Sequence, residues 1–207
     1  MKTLYIFITH QGSFERCYNR ISSMLNGTKF KNDYIVIVGG FIKDELDKEK
    51  HILKLNCNDT YGGLPEKVMK TFNFIMKDET FEDYEYFCKL DEDMYILKEF
   101  DEYYDYFGGL IRKAHINRRY HMGRCGNVLD KMEYLGDFSP WCDGGYGYVV
   151  SKNALKKITP DFRYIEHIYE DVYIALILNH VDIKPNQINN MMDYVCSEQK
   201  MRERGLL

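Results

Sequence analysis

The sequence predicts a single α/β domain with a mostly parallel central sheet flanked by helices. Short, continuously apolar runs rich in β-formers alternate with segments of helical period, which is the pattern of strands buried on both faces and joined by crossover helices. The 207 residues suffice for one full core, and with 45% hydrophobic residues, 29% charged residues and only 4 prolines the chain is not a disordered or low-complexity one. No internal repeat or linker divides it.

Residues 3–9 (TLYIFIT) form the first predicted strand, Gly12 and Ser13 open a helix with Phe14, Cys17, Ile21 and Leu25 on one face, and Asn26-Gly27 closes it. Residues 34–38 (YIVIV), followed by Gly39-Gly40, read as the second strand and complete a βαβ unit. A third strand is expected within 51–55. Pro65 suits the first turn of a helix that carries Leu64, Val68, Phe72 and Ile75 on one side. Residues 86–90 (YFCKL) read as the next strand, and 99–113 as a helix, despite Gly108-Gly109 near its end. The stretch 115–137 has no readable period. Residues 148–150 are strand-like, Ser151 is placed to cap a short helix ending near Ile158, and a further helix is expected from Glu170 to Leu178.

Charge and apolar run length limit the partners. With 28 Lys+Arg against 32 Asp+Glu the net charge is −4, the wrong sign for a general nucleic-acid binder, so no nucleic-acid partner is expected. No apolar run approaches the ~20 residues of a membrane helix and no signal-peptide pattern is visible, so the expected location is cytoplasmic. The six cysteines lack CxxC spacing and several lie in apolar stretches, as buried free thiols would.

Four segments could carry chemistry. Asp91-Glu92-Asp93 follows a strand whose carboxyl end should open onto the ligand crevice of a parallel sheet. Adjacent carboxylates repel unless a cation or solvent neutralises them, and oxygen ligands without His or Cys favour Mg²⁺ or Mn²⁺ shared with a diphosphate. A solvated acidic turn is the ordinary explanation, since residues 78–105 already hold 12 of the 32 acidic side chains. Asp143-Gly-Gly-Tyr-Gly-Tyr148 lets a ligand approach the backbone closely or simply makes a tight turn into a strand, and Trp141, the only tryptophan, is either a sugar platform or core. Glu170-Asp171 either complements a helix dipole or supplies a general base, whose strength depends on whether desolvation outweighs the helix terminus. The basic cluster at 112–121 either faces phosphates or an acidic acceptor, or is a solvated loop.

In order along the chain, these segments resemble the β-1,3-glycosyltransferases of the Fringe, core-1 galactosyltransferase and β-1,3-galactosyltransferase family. KLDED (89–93) is similar to the family's K-x-D-D-D metal motif, WCDGGYGYVVSKNAL (141–155) to its aromatic-x-x-G-G-A-G-Y-V-L-S-x-x-A-L segment, and EDV (170–172) to its E-D-V motif. Asp59, Tyr61, Leu64 and Lys67 match D-x-Y-x-N-L-T-x-K at four positions, with Gly63 and Pro65 replacing its Asn and Thr, and Arg16 and Arg20 resemble its paired arginines. Tyr146 replaces a small residue of the glycine turn, which implies a narrower donor pocket.

The resemblance implies a single GT-A-like, Rossmann-type domain, with a nucleotide-binding half over about 1–97 and an acceptor-binding half over about 98–207. It also implies a metal-dependent, inverting transfer from a nucleoside-diphosphate sugar, UDP-linked, to the hydroxyl of a glycan, glycoprotein or other acceptor, forming a β-1,3 linkage. Asp91 and Asp93 would bind Mn²⁺ or Mg²⁺ and Asp171 would be the base. Thr9, Arg16, Arg20, Asp59, Lys67, Lys89, Glu92, Gly144 and Gly145 would bind the donor, and Trp141, Asp143, Tyr146 and Glu170 the acceptor. The family places a metal-binding His well beyond E-D-V, whereas the last histidine here is His180, so the metal is expected to have two protein carboxylates, completed by diphosphate and water. A nucleotidyltransferase and a noncatalytic carbohydrate- or nucleotide-binding module are the rival readings.

Overall fold

The computed structural model describes residues 1–113, 117–125, 128–158 and 168–207. Its centre is an eight-stranded sheet, as the alternation of strands and helices predicts. Four strands run parallel: β1 (Thr3–Ile8) lies between β2 (Tyr34–Val38) and β5 (Tyr86–Asp91), and β4 (Ile52–Lys54) pairs with β2. The short edge strand β3 (Glu45–Asp47) runs antiparallel to β4. On the other flank β10 (Tyr148–Ser151) is antiparallel to β5 and to β7 (Tyr106–Gly108), and β11 (Asn186–Gln187) completes the sheet beside β7.

Strand alternation sends side chains to two cores. Leu4, Ile6 and Ile8 of β1 pack on one face with Val68, Phe72 and Ile75 of helix α2 (Leu64–Ile75) and with Val172, Ile174 and Leu178 of a later helix, α4 (Glu170–His180). Tyr5 and Phe7 point to the other face, against Cys17, Ile21 and Leu25 of α1 (Phe14–Leu25). Pro65 sits in the first turn of α2, where its missing N–H costs nothing. Ser151 caps the short α3 (Lys152–Lys157), accepting from the Ala154 N–H at 2.9 Å. All six cysteines are buried free thiols, and no helix among the described residues is long and apolar enough to cross a membrane.

The expected helix over 99–113 is replaced by β7 and by β8 (Ile111–Arg112), which pairs with β9 (Trp141–Cys142). The reason is tertiary. Tyr106 and Phe107 fit a doubly buried strand, and Gly108 permits close packing, because a Cβ there would lie 2.9 Å from the Cys142 Cβ. Short pairings also occupy the next turns: β6 (Met94–Ile96) joins β12 (Val195–Ser197), which leads into α5 (Glu198–Glu203).

Register decides where the loops meet. Ile8 pairs with Asp91, so β1 and β5 end together, and Tyr148 pairs with Lys89, so the antiparallel β10 begins at that same edge. The loop after β1, the acidic turn after β5 and the glycine turn before β10 therefore share one rim of the sheet.

Candidate functional site

A cleft of about 580 Å³ opens at this rim. Its floor holds Lys89 at the end of β5, with its ammonium 2.6 Å from Asp91 Oδ1 and 3.3 Å from Glu170 Oε2. Glu170 is buried, and its other oxygen accepts from the Tyr148 hydroxyl. Burial pushes the Glu170 carboxyl up to about 7, against the opposing pull of Lys89. Both Glu170 oxygens are thus engaged within the protein.

Asp171, half-buried, stands one residue further along α4. Its Oδ2 accepts from the Gly144 N–H at 2.9 Å, and its Oδ1 from the Val172 N–H at 2.9 Å. Burial raises its carboxyl above the ordinary value, outweighing the opposing effects of the Gly144 N–H and the Lys89 charge. Desolvation therefore prevails over the helix terminus. The contact is close, and a Cβ on Gly144 would lie 3.2 Å from the Asp171 Cβ, so a larger residue there would press on Asp171.

The glycine turn is fixed from its other end by Asp143. Its Oδ1 accepts from the Gly145 N–H at 3.1 Å and its Oδ2 pairs with Arg112 at 2.8 Å. Trp141 is buried, its indole packed 5.6 Å from the Phe138 ring, yet it contributes to the cleft lining. Tyr146 is half-buried and does not line the cleft; it lies within electrostatic reach of Lys200.

The turn after β5 splits its three carboxylates between two sides. Glu92 faces α1: its Oε2 accepts from the Thr9 hydroxyl at 2.7 Å and from the Ser13 hydroxyl, and its Oε1 lies 3.7 Å from Arg16. Arg20 donates to the Glu92 and Met94 carbonyls. Glu92 and Arg20 are thereby held as loop struts, while Arg16 remains highly exposed. Asp91 and Asp93 are left as the metal candidates. Asp93 is exposed, no cation lies within ion-pair distance of it among the described residues, and partial desolvation followed by the Asp91 charge raises its carboxyl. Asp91 is paired with Lys89 through Oδ1 while Asp93 has no cation partner among the described residues, and two such hard carboxylates fit a divalent cation that takes its other ligands from phosphate and water. Among the described residues no group of three or more His, Cys, Asp or Glu side chains converges as a metal cage. Asp193 pairs with Arg204 at 3.4 Å, and His180 ends α4 on the opposite side from Asp171, about 14 Å away at a helix rise of 1.5 Å per residue.

Asp59 and Lys67 are brought together beside the first loop. Their ion pair is 2.6 Å long, Asp59 accepts from the Gln11 and Gly39 N–H groups at 2.7 and 2.9 Å, and Lys67 donates to the Thr9 carbonyl at 2.8 Å. One carboxylate thus joins the loops following β1, β2 and β4. These loops bound a second hollow of about 380 Å³, lined by residues 11–16, Val38 and Phe41.

Sequence reasoning left out several cleft residues: Tyr61 and Arg124, and Tyr120 and Tyr169 on the same wall. Tyr61 carried a signal, as part of the D-x-Y match, and Arg112, Asn117 and Tyr120 belong to the basic cluster that was also readable as a solvated loop. Residues 114–116 of that cluster lie outside the described residues. Arg124 gave no signal of its own.

The family model described as Galactosyltransferase matches residues 20–189. Among solved structures, the chain is similar to a mutant Drosophila β-1,4-galactosyltransferase 7 in complex with manganese, UDP-Gal and xylobiose, at 10% identity and a TM-score of 0.43, over 99% of this chain and 74% of that one. It is also similar to a cytidylyltransferase from Leptospira borgpetersenii, at 12% identity and a TM-score of 0.46, over 92% of this chain and 76% of that one.

Proposed function

The chain belongs to the galactosyltransferase family and is a glycosyltransferase, and from that premise we propose that it moves a sugar from a UDP-linked donor to an acceptor hydroxyl by a metal-dependent, inverting reaction that forms a β-1,3 linkage. The observation that carries this reading is the position of Asp171, half-buried and anchored to the glycine turn in the same cleft as Asp91. Asp171 takes the proton from the acceptor hydroxyl as that oxygen attacks the sugar. Its raised affinity for a proton makes it a stronger base than an ordinary aspartate.

Asp91 and Asp93 would hold Mn²⁺ or Mg²⁺, which when bound would supply Lewis-acid charge to the departing diphosphate. Lys89 keeps Asp91 in place from below and neutralises Glu170. The hollow braced by Asp59, Lys67 and Thr9 receives the nucleotide, with Arg16 at its margin and Gly144 and Gly145 leaving room for the sugar. Arg20 and Glu92 act on the donor through the loops they hold. Trp141, Asp143 and the tyrosines of the cleft wall face the acceptor, and Glu170 supports that wall from beneath. On this reading the nucleotide-binding half spans about 1–97 and the acceptor-binding half about 98–207, with Tyr61 crossing to the acceptor wall and Gly144 and Gly145 to the donor side.

A donor screen that separates the products tests the reading. Free UDP without pyrophosphate is expected; pyrophosphate release would identify a nucleotidyltransferase. Donor turnover no faster than the protein-free rate, and insensitive to EDTA, would leave a noncatalytic binding module.

Two titrations address the metal. Asp93→Asn should weaken binding of UDP with Mn²⁺ by at least about tenfold at an unchanged melting temperature, because an exposed, repelled carboxylate adds no stability. Unchanged affinity in the folded variant would reduce the acidic turn to a solvated one. In the unmodified protein UDP should tighten Mn²⁺ binding by at least about tenfold, and Mn²⁺ should tighten UDP binding by the same factor. Tight Mn²⁺ binding without nucleotide would show that a third protein ligand exists.

A further inference from the structure

Three cationic side chains line the cleft, and two of them have carboxylate partners. Lys89 is held by Asp91 and Glu170, and Arg112 by Asp143. The third is Arg124, which is exposed and among the described residues has no carboxylate within ion-pair distance. Its guanidinium carbon lies 4.0 Å from the centroid of the Tyr120 ring and 5.9 Å from that of Tyr61. The guanidinium also lies within hydrogen-bonding reach of the Tyr120 and Tyr61 side chains, which hold it against the wall, and its five N–H donors exceed those two partners, leaving donors for a carboxylate or phosphate.

Arg124 stands on an anchored turn. His121, three residues before it, is fully buried: its Nδ1 is 2.9 Å from the Tyr169 hydroxyl, and its Nε2 is 2.9 Å from the Leu129 carbonyl and 2.8 Å from that of Met132. The N–H groups of Arg124 and Cys125 donate to Asp130 Oδ1 at 3.1 and 2.7 Å, and Cys125 is buried. Arg118 secures the start of the segment through the Tyr134 and Gly136 carbonyls. The cation is therefore displayed beside an aromatic wall from a braced loop.

We propose that the acceptor is a saccharide carrying an anionic group, a carboxylate or a phosphate, and that Arg124 is the specificity-determining residue that binds it. The inference rests on the reading of this cleft as the acceptor site. The aromatic wall of Tyr61, Tyr120 and Tyr169 suits the apolar face of a sugar ring, and the N–H donors that Arg124 does not give to the tyrosines meet the charge that the ring carries. The donor diphosphate would find its counter-charge in the metal proposed to bind at Asp91 and Asp93.

The test titrates the protein, supplied with UDP and Mn²⁺, with three glycosides that differ at one carbon: methyl glucoside, methyl glucuronide and methyl glucoside 6-phosphate. At least one charged glycoside should bind about tenfold or more tightly than the neutral one, a difference of about 1.4 kcal/mol. Which of them binds better distinguishes a carboxylate from a phosphate ligand. Arg124→Gln should abolish the preference, Arg124→Lys should retain part of it, and UDP affinity should change less than about threefold in both variants. Charged glycosides that bind no better than the neutral one, or a preference that survives Arg124→Gln, would overturn the assignment. A marked fall in UDP affinity in Arg124→Gln would place the guanidinium on the donor diphosphate and overturn it too. Failure of UDP to bind the unmodified protein would count against the donor reading, while the glycoside preference is still read on its own.

Discussion

Asp171→Asn is expected to lower sugar transfer by about 10²–10⁴-fold while leaving UDP affinity within about threefold, the signature of a lost general base. The amide keeps the size of the side chain and an oxygen for the Gly144 N–H, so the glycine turn should hold its shape. It cannot take a proton. Because burial raises the Asp171 carboxyl, the acid limb of the rate profile should lie above the value of an ordinary aspartate, with transfer rising with pH through it. Transfer rates and UDP titrations on the purified variant separate the two effects. Transfer surviving within a few-fold would leave Asp171 as a helix-terminal charge and make Asp143 the next candidate.

The second large effect concerns stability. Lys89→Met should destabilise the fold by about 3–5 kcal/mol at pH 8, because it leaves the buried Glu170 without its cation. The cost should be smaller at pH 5. Glu170 has a folded value of about 7, above the ordinary 4.5, so its contribution to stability is complete below about pH 4.5 and is lost as pH rises through about 7. Without Lys89 the Tyr148 hydroxyl still opposes the rise but the larger restraint is gone, and the loss continues to higher pH. Urea unfolding at the two pH values measures this, and adding Glu170→Gln should recover stability at pH 8. An equal cost at both pH values would reduce Lys89 to a packing role.

The parallel core was legible because β1 and β2 are buried on both faces and read as continuous apolar runs, and β5 does so apart from Lys89 and its terminal Asp91. β7 and β8 were not, because strands of three and two residues owe their conformation to β10 and β9 rather than to their own periodicity. The edge strand β3 is mostly polar and leaves no pattern. At the site, residue types placed the acidic turn at the crevice, and only the family resemblance joined the glycine turn and Asp171 to it; the orientations of the side chains were not readable. Glu92 turns toward α1 while its neighbours do not, a division that consecutive letters cannot express. Glu170 similarly sits under the cleft, because Tyr148 and Lys89 reach it from below. Arg124 and Tyr120 were hidden because their placement depends on His121 meeting two backbone carbonyls, and a carbonyl is common to every residue.

The six buried thiols give this molecule an internal record of its own breathing. Burial pushes the thiols of Cys17 and Cys57 up to about 11 and that of Cys142 up to about 12, so alkylation near neutral pH must wait for the surrounding segment to open. They are spread through the fold: Cys17 in α1, Cys88 in β5, Cys142 in β9 and Cys196 in β12, with Cys57 and Cys125 in loops. The order in which a small alkylating reagent reaches them reads out the order in which the parts of the domain come apart, without the introduction of any probe.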